Sequence, residues 1–370
     1  MAEWPKSAEV VVVGGGIVGA SALYHLAVAG CRDAVLLERD TLGSGSTGAA
    51  AGGIRAQFSD ELNIRIAVES LRRFAAFPEE IGADIGFRQW GYLFLLPADA
   101  VADFEAAVAR QQRLGVATEL IGPDEAAAIV PQLSLDGIAA ATWNPLDASA
   151  DPGAAVQGYV DAARRHGATV FQGADATQVL HEGGRVTGVA TSRGTIATGR
   201  VICAAGVWSR ELAATAGVNL PVQAERRYVY QTAAPDELPA ELPLTIDFAT
   251  SFYLHRERDR LLLGGPWASL EDLAPVAVDR VPALATLPIR PGWSGLYEMS
   301  PDHNAIVGDA TEPAGLLYAT GFSGHGFQQS PVVGRYLADV ALGRPPEIDL
   351  SPFGVERFAH RTPRVERHLV

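Results

Sequence analysis

The sequence predicts an α/β chain in which a parallel, helix-flanked sheet is interwoven with a second, antiparallel-sheet α+β domain. Three observations predict it. A short apolar run, Val10 to Val13, is followed at once by Gly14, Gly16 and Gly19, a helix-like stretch from Ile17 to Ala29, a second apolar run from Ala34 to Leu37, and then Glu38. Strand-like runs crowd the region from Val222 to Gly264, with turn signals between them and no helical periodicity. Two further apolar runs and a helical stretch after Asn304 read as a return to the first sheet, and no low-complexity linker separates the regions.

The first of these is the most specific. Val10 to Val13 is too short for a helix and reads as a buried parallel strand. In the G-x-G-x-x-G that follows, Gly14 permits a tight turn, Gly16 lets backbone approach a pyrophosphate, and Gly19 lets the next helix pack on the strand, with Ile17 and Val18 between them. The helix points its unpaired N–H groups and positive dipole end at a phosphate, and Gly30 ends it. Glu38 lies close to the expected spacing of about twenty residues beyond the glycines, where a carboxylate accepts from a ribose 2'-hydroxyl. Strand, glycines, helix, strand and acid in this order make a Rossmann-type unit for an adenosine diphosphate moiety without a 2'-phosphate. The motif does not separate FAD from NAD.

After Glu38 the stretch LGSGSTGAAAGGIRAQFSDE is rich in small residues that allow close backbone approach. Apolar spacing predicts a helix from about Asp60 to Phe77, with Ser59 or Asp60 as its N-cap. FRQWGYLFLLP reads as a strand, Ala98 to Leu114 as an amphipathic helix, the stretch from Gly122 as a short helix stopped by Pro131, and Gly137 to Trp143 as a strand. Asp151 caps another helix, with Pro152 in its first turn. A strand, a small meander and the buried strand Val201 to Ala204 follow, the last expected to close the nucleotide sheet. Val222–Thr232, Leu244–Phe248, Phe252–Arg256 and Leu261–Gly264 supply the antiparallel sheet.

A chain of 370 residues, 48% of them hydrophobic, suits two interleaved domains better than one small core. Its formal net charge of -14 argues against nucleic acid or an anionic membrane surface as partner. Cys31 and Cys203 are the only cysteines, each in an apolar context, so neither a disulfide framework nor a thiolate metal site is expected, and a reducing cytoplasm fits. No H-x-x-x-H or cysteine–histidine cluster suggests a metal. The N-terminus lacks an apolar h-region and no long apolar run occurs, so neither a signal peptide nor a transmembrane span is expected.

Four separated stretches together resemble one family: VVVGGGIVGASALYHLA with Glu38, STGAAAGGIR, ICAAGVWS, and SPDHNAIVGD with GFSGHGFQQSP. The chain resembles the flavin-dependent amine oxidoreductases of the D-amino-acid oxidase superfamily, in the branch of sarcosine oxidases, glycine oxidase and dimethylglycine dehydrogenase. The resemblance implies FAD on the parallel sheet and a mixed or antiparallel sheet over the isoalloxazine ring. It divides the chain into an FAD-binding domain (1–80, 150–218 and 300–370) and a substrate-binding domain (81–149 and 219–299). It also implies that Gly14, Gly16 and Gly19 hold the pyrophosphate and Glu38 the ribose, with Arg39 beside the adenine. Ser46, Thr47, Ala50 and Gly52 would line the flavin, Ala176 would meet the adenine, and Ala205, Gly206 and Trp208 would flank the dinucleotide. Gly308, Gly324, His325, Gly326, Phe327 and Gln328 would wrap the ring's pyrimidine end, where a helix starting near Phe327 would aim its dipole at developing negative charge.

Departures from the family pattern carry equal information. Gly295 stands where sarcosine oxidase has its flavin-linking cysteine, and Ala49 near the place of the tethering histidine of dimethylglycine dehydrogenase, so the FAD is expected to be noncovalent. Gln328 replaces a lysine that helps hold substrate carboxylate, and Leu262 falls at a lysine credited with oxygen activation. Arg55 matches a carboxylate-binding arginine; an internal ion pair is the competing reading of a buried arginine. Tyr253 would orient the substrate by its hydroxyl or simply pack on a half-buried strand. His325, between two glycines, is expected to contact flavin rather than act as a base, with His255 and His303 weaker candidates. The expected reaction is oxidation of the CH–N bond of an amino acid or N-methyl amino acid to an imine by hydride transfer to flavin N5, with oxygen or an electron carrier as acceptor. The competing expectation is a flavoprotein with a structural or assembly role. Substrate identity, oligomeric state and the choice between oxidase and dehydrogenase are not readable, although Phe58, Tyr92, Tyr228 and Tyr253 are expected to shape the pocket.

Overall fold

The computed structural model describes residues 3–360 and 364–368. Among these, the central sheet has six strands in the order Ile306–Asp309, Leu316–Thr320, Val201–Cys203, Val10–Val13, Ala34–Leu37, Thr169–Phe171. Its pairings are parallel except at the edge, where Ile306–Asp309 runs antiparallel to Leu316–Thr320. Val201–Cys203 therefore does not close the sheet, as its place in the chain suggested. It pairs on its other side with Leu316–Thr320, because the returning C-terminal strands insert their own apolar edge there.

Successive residues of the first strand face opposite layers, as the two-residue strand period demands. Val10 and Val12 pack against the helices Ile17–Val28, Pro152–Arg165 and Gly326–Ala341. Val11 and Val13 pack towards the three-stranded meander of Ala176–Glu182, Arg185–Thr191 and Gly194–Ala197. The glycine turn works sterically as read: Gly14 has φ +110°, and a Cβ on Gly19 would come within 1.9 Å of the Gly14 carbonyl oxygen. The helices Ile17–Val28 and Gly326–Ala341 approach so closely that a Cβ on Gly334 would fall 2.2 Å from the Ser21 hydroxyl. Both expected caps form, Asp60 accepting from the Leu62 amide and Asp151 from Gly153 and Ala154.

The second sheet has eight strands, in the order Arg290–Met299, Gln223–Ala233, Arg260–Gly265, Phe252–Glu257, Leu244–Asp247, Tyr92–Leu96, Ala140–Asn144, Glu119–Ile121. It is mixed rather than wholly antiparallel, since Leu244–Asp247 runs parallel to Tyr92–Leu96, which joins the two chain segments. One face carries Leu93, Leu95, Leu254, Leu261 and Leu263 against the helices Leu270–Arg280 and Pro123–Ile129. The other carries Tyr92, Phe94, Leu244, Ile246 and Tyr253 and turns towards the first sheet. A buried Arg280–Asp247 pair at 2.9 Å ties helix to sheet here, and a buried Arg357–Asp302 pair at 2.8 Å joins the helix Arg357–His360 to the turn after Arg290–Met299. Among the described residues no helix is long and apolar enough to cross a membrane.

Candidate cofactor and active site

A cavity of about 610 Å³ runs from the C-terminal ends of the first sheet's strands to the aromatic face of the second. Where it passes the first sheet it is lined by Gly14, Gly16, Ile17, Val18, Glu38 and Arg39, facing Ala176, Ala205, Gly206 and Trp208. Glu38 receives the Gly15 amide on one carboxylate oxygen and the Asp40 amide on the other, both at 2.7 Å, which fixes the acid beside the glycine turn. The Arg39 guanidinium lies 3.7 Å over the Trp208 ring. Gly19 stays out of the cavity wall, since its place is the helix–strand contact.

The small-residue stretch crosses the middle of the cavity, where Ser46, Thr47, Ala49, Ala50 and Gly52 line it. Small side chains let this segment be stitched down on both sides. Thr47 Oγ1 accepts from the Ile17 amide at 3.1 Å, Ser46 Oγ donates to the Leu296 carbonyl at 2.6 Å, and Trp293 Nε1 donates to the Ala49 carbonyl at 3.0 Å. The strand Arg290–Met299, which these bonds recruit, brings Gly295 against Ala49: a Cβ on Gly295 would sit 2.5 Å from the Ala49 Cβ. The two positions expected to lack a flavin-linking nucleophile thus meet in one wall.

At the second sheet the cavity becomes a chamber. Tyr92, Arg227, Val229, Leu244, Ile246, Tyr253 and Tyr297 meet the loop and helix start formed by Gly324, His325, Gly326, Phe327 and Gln328. Gly324, at φ +90°, lets the Tyr297 ring lie on the loop; a Cβ there would come within 2.6 Å of it. The Tyr253 ring lies against Gly264 in the same way. Among the described residues the hydroxyls of Tyr92, Tyr253 and Tyr297 have no protein hydrogen-bond partner, and burial pushes all three upward in pKa, so each remains a protonated donor. Gly308 lies outside the cavity, beside the Tyr318 ring in a sheet strand, because the loop that reaches the chamber is the one after Leu316–Thr320.

Arg55 is in the wall but not as an open fork. It is 4% exposed; Nη1 donates to the Gln57 carbonyl, and Nη2 lies 2.6 Å from the His368 carbonyl oxygen and 3.1 Å from His325 Nε2. Its backbone amide donates to Gln328 Oε1 at 2.8 Å. Among the described residues no carboxylate pairs with it directly, so the internal ion pair is not found either. The carbonyls that occupy the fork come from the adjacent chain and from the 364–368 segment, which no local pattern announces. Burial first, and then the Arg55 charge, lower His325 to about 3, which makes it a neutral acceptor for Arg55 and no base.

Of the other residues weighed from the sequence, Phe58 lies beneath Arg55 and His325, whereas Tyr228 packs on the far face of the second sheet. Leu262 is buried opposite His255 and does not line the cavity, and neither His255 nor His303 does. Sequence reading missed Arg227, Tyr297 and Glu298. Arg227 reads as one of a charged pair on an exposed strand, and its half-buried guanidinium in fact sits 5.1 Å over the Tyr297 ring, paired with Glu225 at the surface. Glu298 is driven up to about 7 by burial, against the pull of the Gly321 and Phe322 amides.

A family model described as "FAD dependent oxidoreductase" (DAO) matches residues 9–340. The chain belongs to this family. It is 32% identical over 96% of its length to a 4-methylaminobutanoate oxidase (formaldehyde-forming) of Paenarthrobacter nicotinovorans, and 31% identical over 97% to mitochondrial dimethylglycine dehydrogenase of Rattus norvegicus, but spans only 46% of each of those proteins. An FAD-dependent oxidoreductase domain-containing protein 1 of Xenopus laevis is 30% identical over 99% of the chain and is itself 85% covered. Among solved structures, L-proline dehydrogenase from P. horikoshii superposes with a TM-score of 0.88 at 32% identity, covering 96% of this chain and 99% of that one. FAD is the cofactor of the family, and the cavity fits it. The glycine turn and Glu38 line the end where a dinucleotide's first half would sit, and the start of the 16-residue helix Gly326–Ala341 lines the chamber that would take a flat ring.

Proposed function

We propose that this family member oxidises the CH–N bond of a small amino acid or N-methyl amino acid to an imine, which water then hydrolyses. FAD, held by Gly14, Gly16, Glu38 and the start of the helix Gly326–Ala341, would supply the two-electron acceptor for a hydride from carbon, while the amine nitrogen gives up a proton. Segments 1–80, 150–218 and 300–370 would carry the cofactor, and 81–149 and 219–299 the substrate. That division is supported by the strands of the two sheets falling into those segments.

The observation that carries the reading is the chamber: tyrosine hydroxyls without protein partners, in an aromatic wall bounded by Arg55 and Arg227. Tyr297 lies within the electrostatic reach of both arginines. A substrate carboxylate placed there meets positive potential and hydroxyl donors, while its amine stays neutral beside the neutral His325. Orientation, rather than a strong base, is what these side chains provide. Arg55, already bonded to the protein, contributes its charge and remaining N–H groups. The electrons then pass to oxygen or an electron carrier. A cytoplasmic setting completes the proposal, supported by two buried, unpaired cysteines.

The test is an anaerobic screen for flavin bleaching that pairs each amino acid with its decarboxylated amine, on wild type, Arg55→Ala, Arg55→Lys and Arg227→Ala. Losing one charge-assisted contact of about 1.5–3 kcal/mol should lower kcat/KM for the carboxylated substrate roughly ten- to a hundred-fold. The decarboxylated amine should be little affected, and flavin content should stay near normal. Equal sensitivity of both substrates would remove these arginines from substrate binding, and no bleaching by any amine would favour a structural role.

A further inference from the structure

Glu298, the penultimate residue of the strand Arg290–Met299, reaches the cofactor cavity, where the reaction described above gives it no task. Its Oε2 lies 2.8 Å from Thr320 Oγ1, and the same Thr320 oxygen lies 2.8 Å from the Gly206 carbonyl oxygen. Two oxygen–oxygen contacts of this length need two hydrogens between them. The threonine hydroxyl brings one and a carbonyl brings none, so the second belongs to Glu298. The hydrogens then run in one direction: Glu298 Oε2–H donates to Thr320, and Thr320 donates to Gly206. The Gly206 carbonyl also accepts from the Ser209 amide.

Burial outweighs the Gly321 and Phe322 amides, which favour the charged form. Among the described residues no ion pair includes Glu298, and no charged side chain contributes to its raised pKa, which burial alone drives upward. On its own strand the neighbour is Tyr297. On Gln223–Ala233 it stands opposite Ala224, with Glu225, Arg226 and Arg227 following. On Val201–Cys203 the thiol of Cys203, pushed up to about 11 chiefly by burial, is the titratable group within reach. From Leu316–Thr320 and the loop beyond come a hydroxyl and amides only. Gly206 and Trp208 are the cavity residues that flank a dinucleotide, and a Cβ on Gly206 would be 3.9 Å from Glu298 Oε2.

We propose that Glu298 is a cofactor-binding residue that works as a neutral acid, and that its ionisation weakens the hold on FAD, making cofactor retention proton-linked. A carboxylate there would repel the anionic pyrophosphate and leave the Glu298–Thr320–Gly206 chain one hydrogen short. A neutral acid does neither. A dinucleotide further dries the cavity and adds negative charge, so binding favours the protonated form and takes up a proton above the pH at which the free protein loses it.

The test is FAD release from the holoprotein, followed by free-flavin fluorescence on serial dilution between pH 6 and 9. In wild type the apparent Kd should climb above pH 7, approaching about tenfold per pH unit where one proton is linked. In Glu298→Gln, which keeps the shape without the charge, it should stay level. A carboxylic-acid carbonyl band in the infrared spectrum of the holoprotein at pH 7 should vanish in the same variant. Equal slopes in both proteins, or an unchanged band, would overturn the proposal. If Glu298→Gln does not fold, Thr320→Val decides. Removing an acceptor from a neutral acid moves the onset of FAD loss to lower pH, whereas removing a donor from a carboxylate moves it higher. Thr320→Ser should behave as wild type, and an upward shift, or none, in Thr320→Val would sink the idea.

Discussion

Single residues decide how the cofactor is held. Gly295 and Ala49 meet in the cavity wall, and neither carries a nucleophile that could bond to a flavin ring. Protein precipitated with acid should therefore give a colourless pellet and a supernatant containing all the flavin as FAD. Colour that stays with the pellet would reveal a covalent link, and release of FMN would undo the reading of Glu38. Gly295 was legible in the sequence as a departure from a family pattern. Its contact with Ala49 was not, because the two lie on segments whose meeting depends on the Ser46–Leu296 and Trp293–Ala49 bonds.

Elements were legible where a local pattern marked them, whether an apolar stripe or the glycine turn that frames the uniformly apolar helix Ile17–Val28. The helix Glu61–Ala75 has clear apolar spacing and an Asp60 cap, and both were readable. What the spacing concealed is a second cap from the far end of the chain. Glu366 accepts from the Ser59 and Asp60 amides, the Ser59 hydroxyl and the Asn63 side chain. Burial alone would raise this carboxyl, but His368 and those donors outweigh it and hold it at about 2. Its stabilising contribution is present above the ordinary glutamate range and lost as pH falls through about 2. Glu366→Ala should cost about 1.5–3 kcal/mol, read as a lowered urea midpoint at pH 7. It should also loosen Arg55, whose Nη2 donates to the carbonyl of His368 two residues on. An unchanged midpoint would show that water replaces the carboxylate without loss. The strand Arg290–Met299 escaped sequence reading because it begins Arg-Pro-Gly and lies at a sheet edge, half exposed along its length, so no two-residue alternation marks it. Pro275 inside the helix Leu270–Arg280 hid that element too.

At the scale of the whole molecule, burial has placed four histidines where they are neutral. His25 and His325 are lowered to about 3, and His255 and His368 to about 4, with burial the leading cause in each. The unfolded chain binds protons at these sites from about pH 6.5 downward while the fold refuses them. The stability they contribute is thus present above pH 6.5 and lost as pH falls through 4 to 3. Asp147 and Glu298, raised to about 7 by burial, work in the opposite sense and lose their contribution as pH rises through 7. The urea midpoint should therefore peak near pH 6 to 7. It should fall on acidification with a slope of up to about 1.4 kcal/mol per pH unit for each histidine engaged. A midpoint flat from pH 7 to 4 would mean that these histidines take up protons within the fold.

The sequence by itself determined the nucleotide half of this protein, because a dinucleotide turn is local. Gly14, Gly16, Gly19 and Glu38 lie within one strand–helix–strand unit, and the steric roles of Gly14 and Gly19 follow from spacing alone. It also determined, through separated motifs, the family and hence FAD. The chamber was decided only by the tertiary structure. Arg227, Tyr297 and Glu298 sit on paired strands far apart in the chain, where a two-residue period says which side a residue faces but not what lies opposite. Arg55 shows the same limit. Its burial among small residues was readable, yet two of the three groups that fill its fork come from His325 and His368, 270 and 313 residues away, and contacts at that separation leave no periodic trace in sequence.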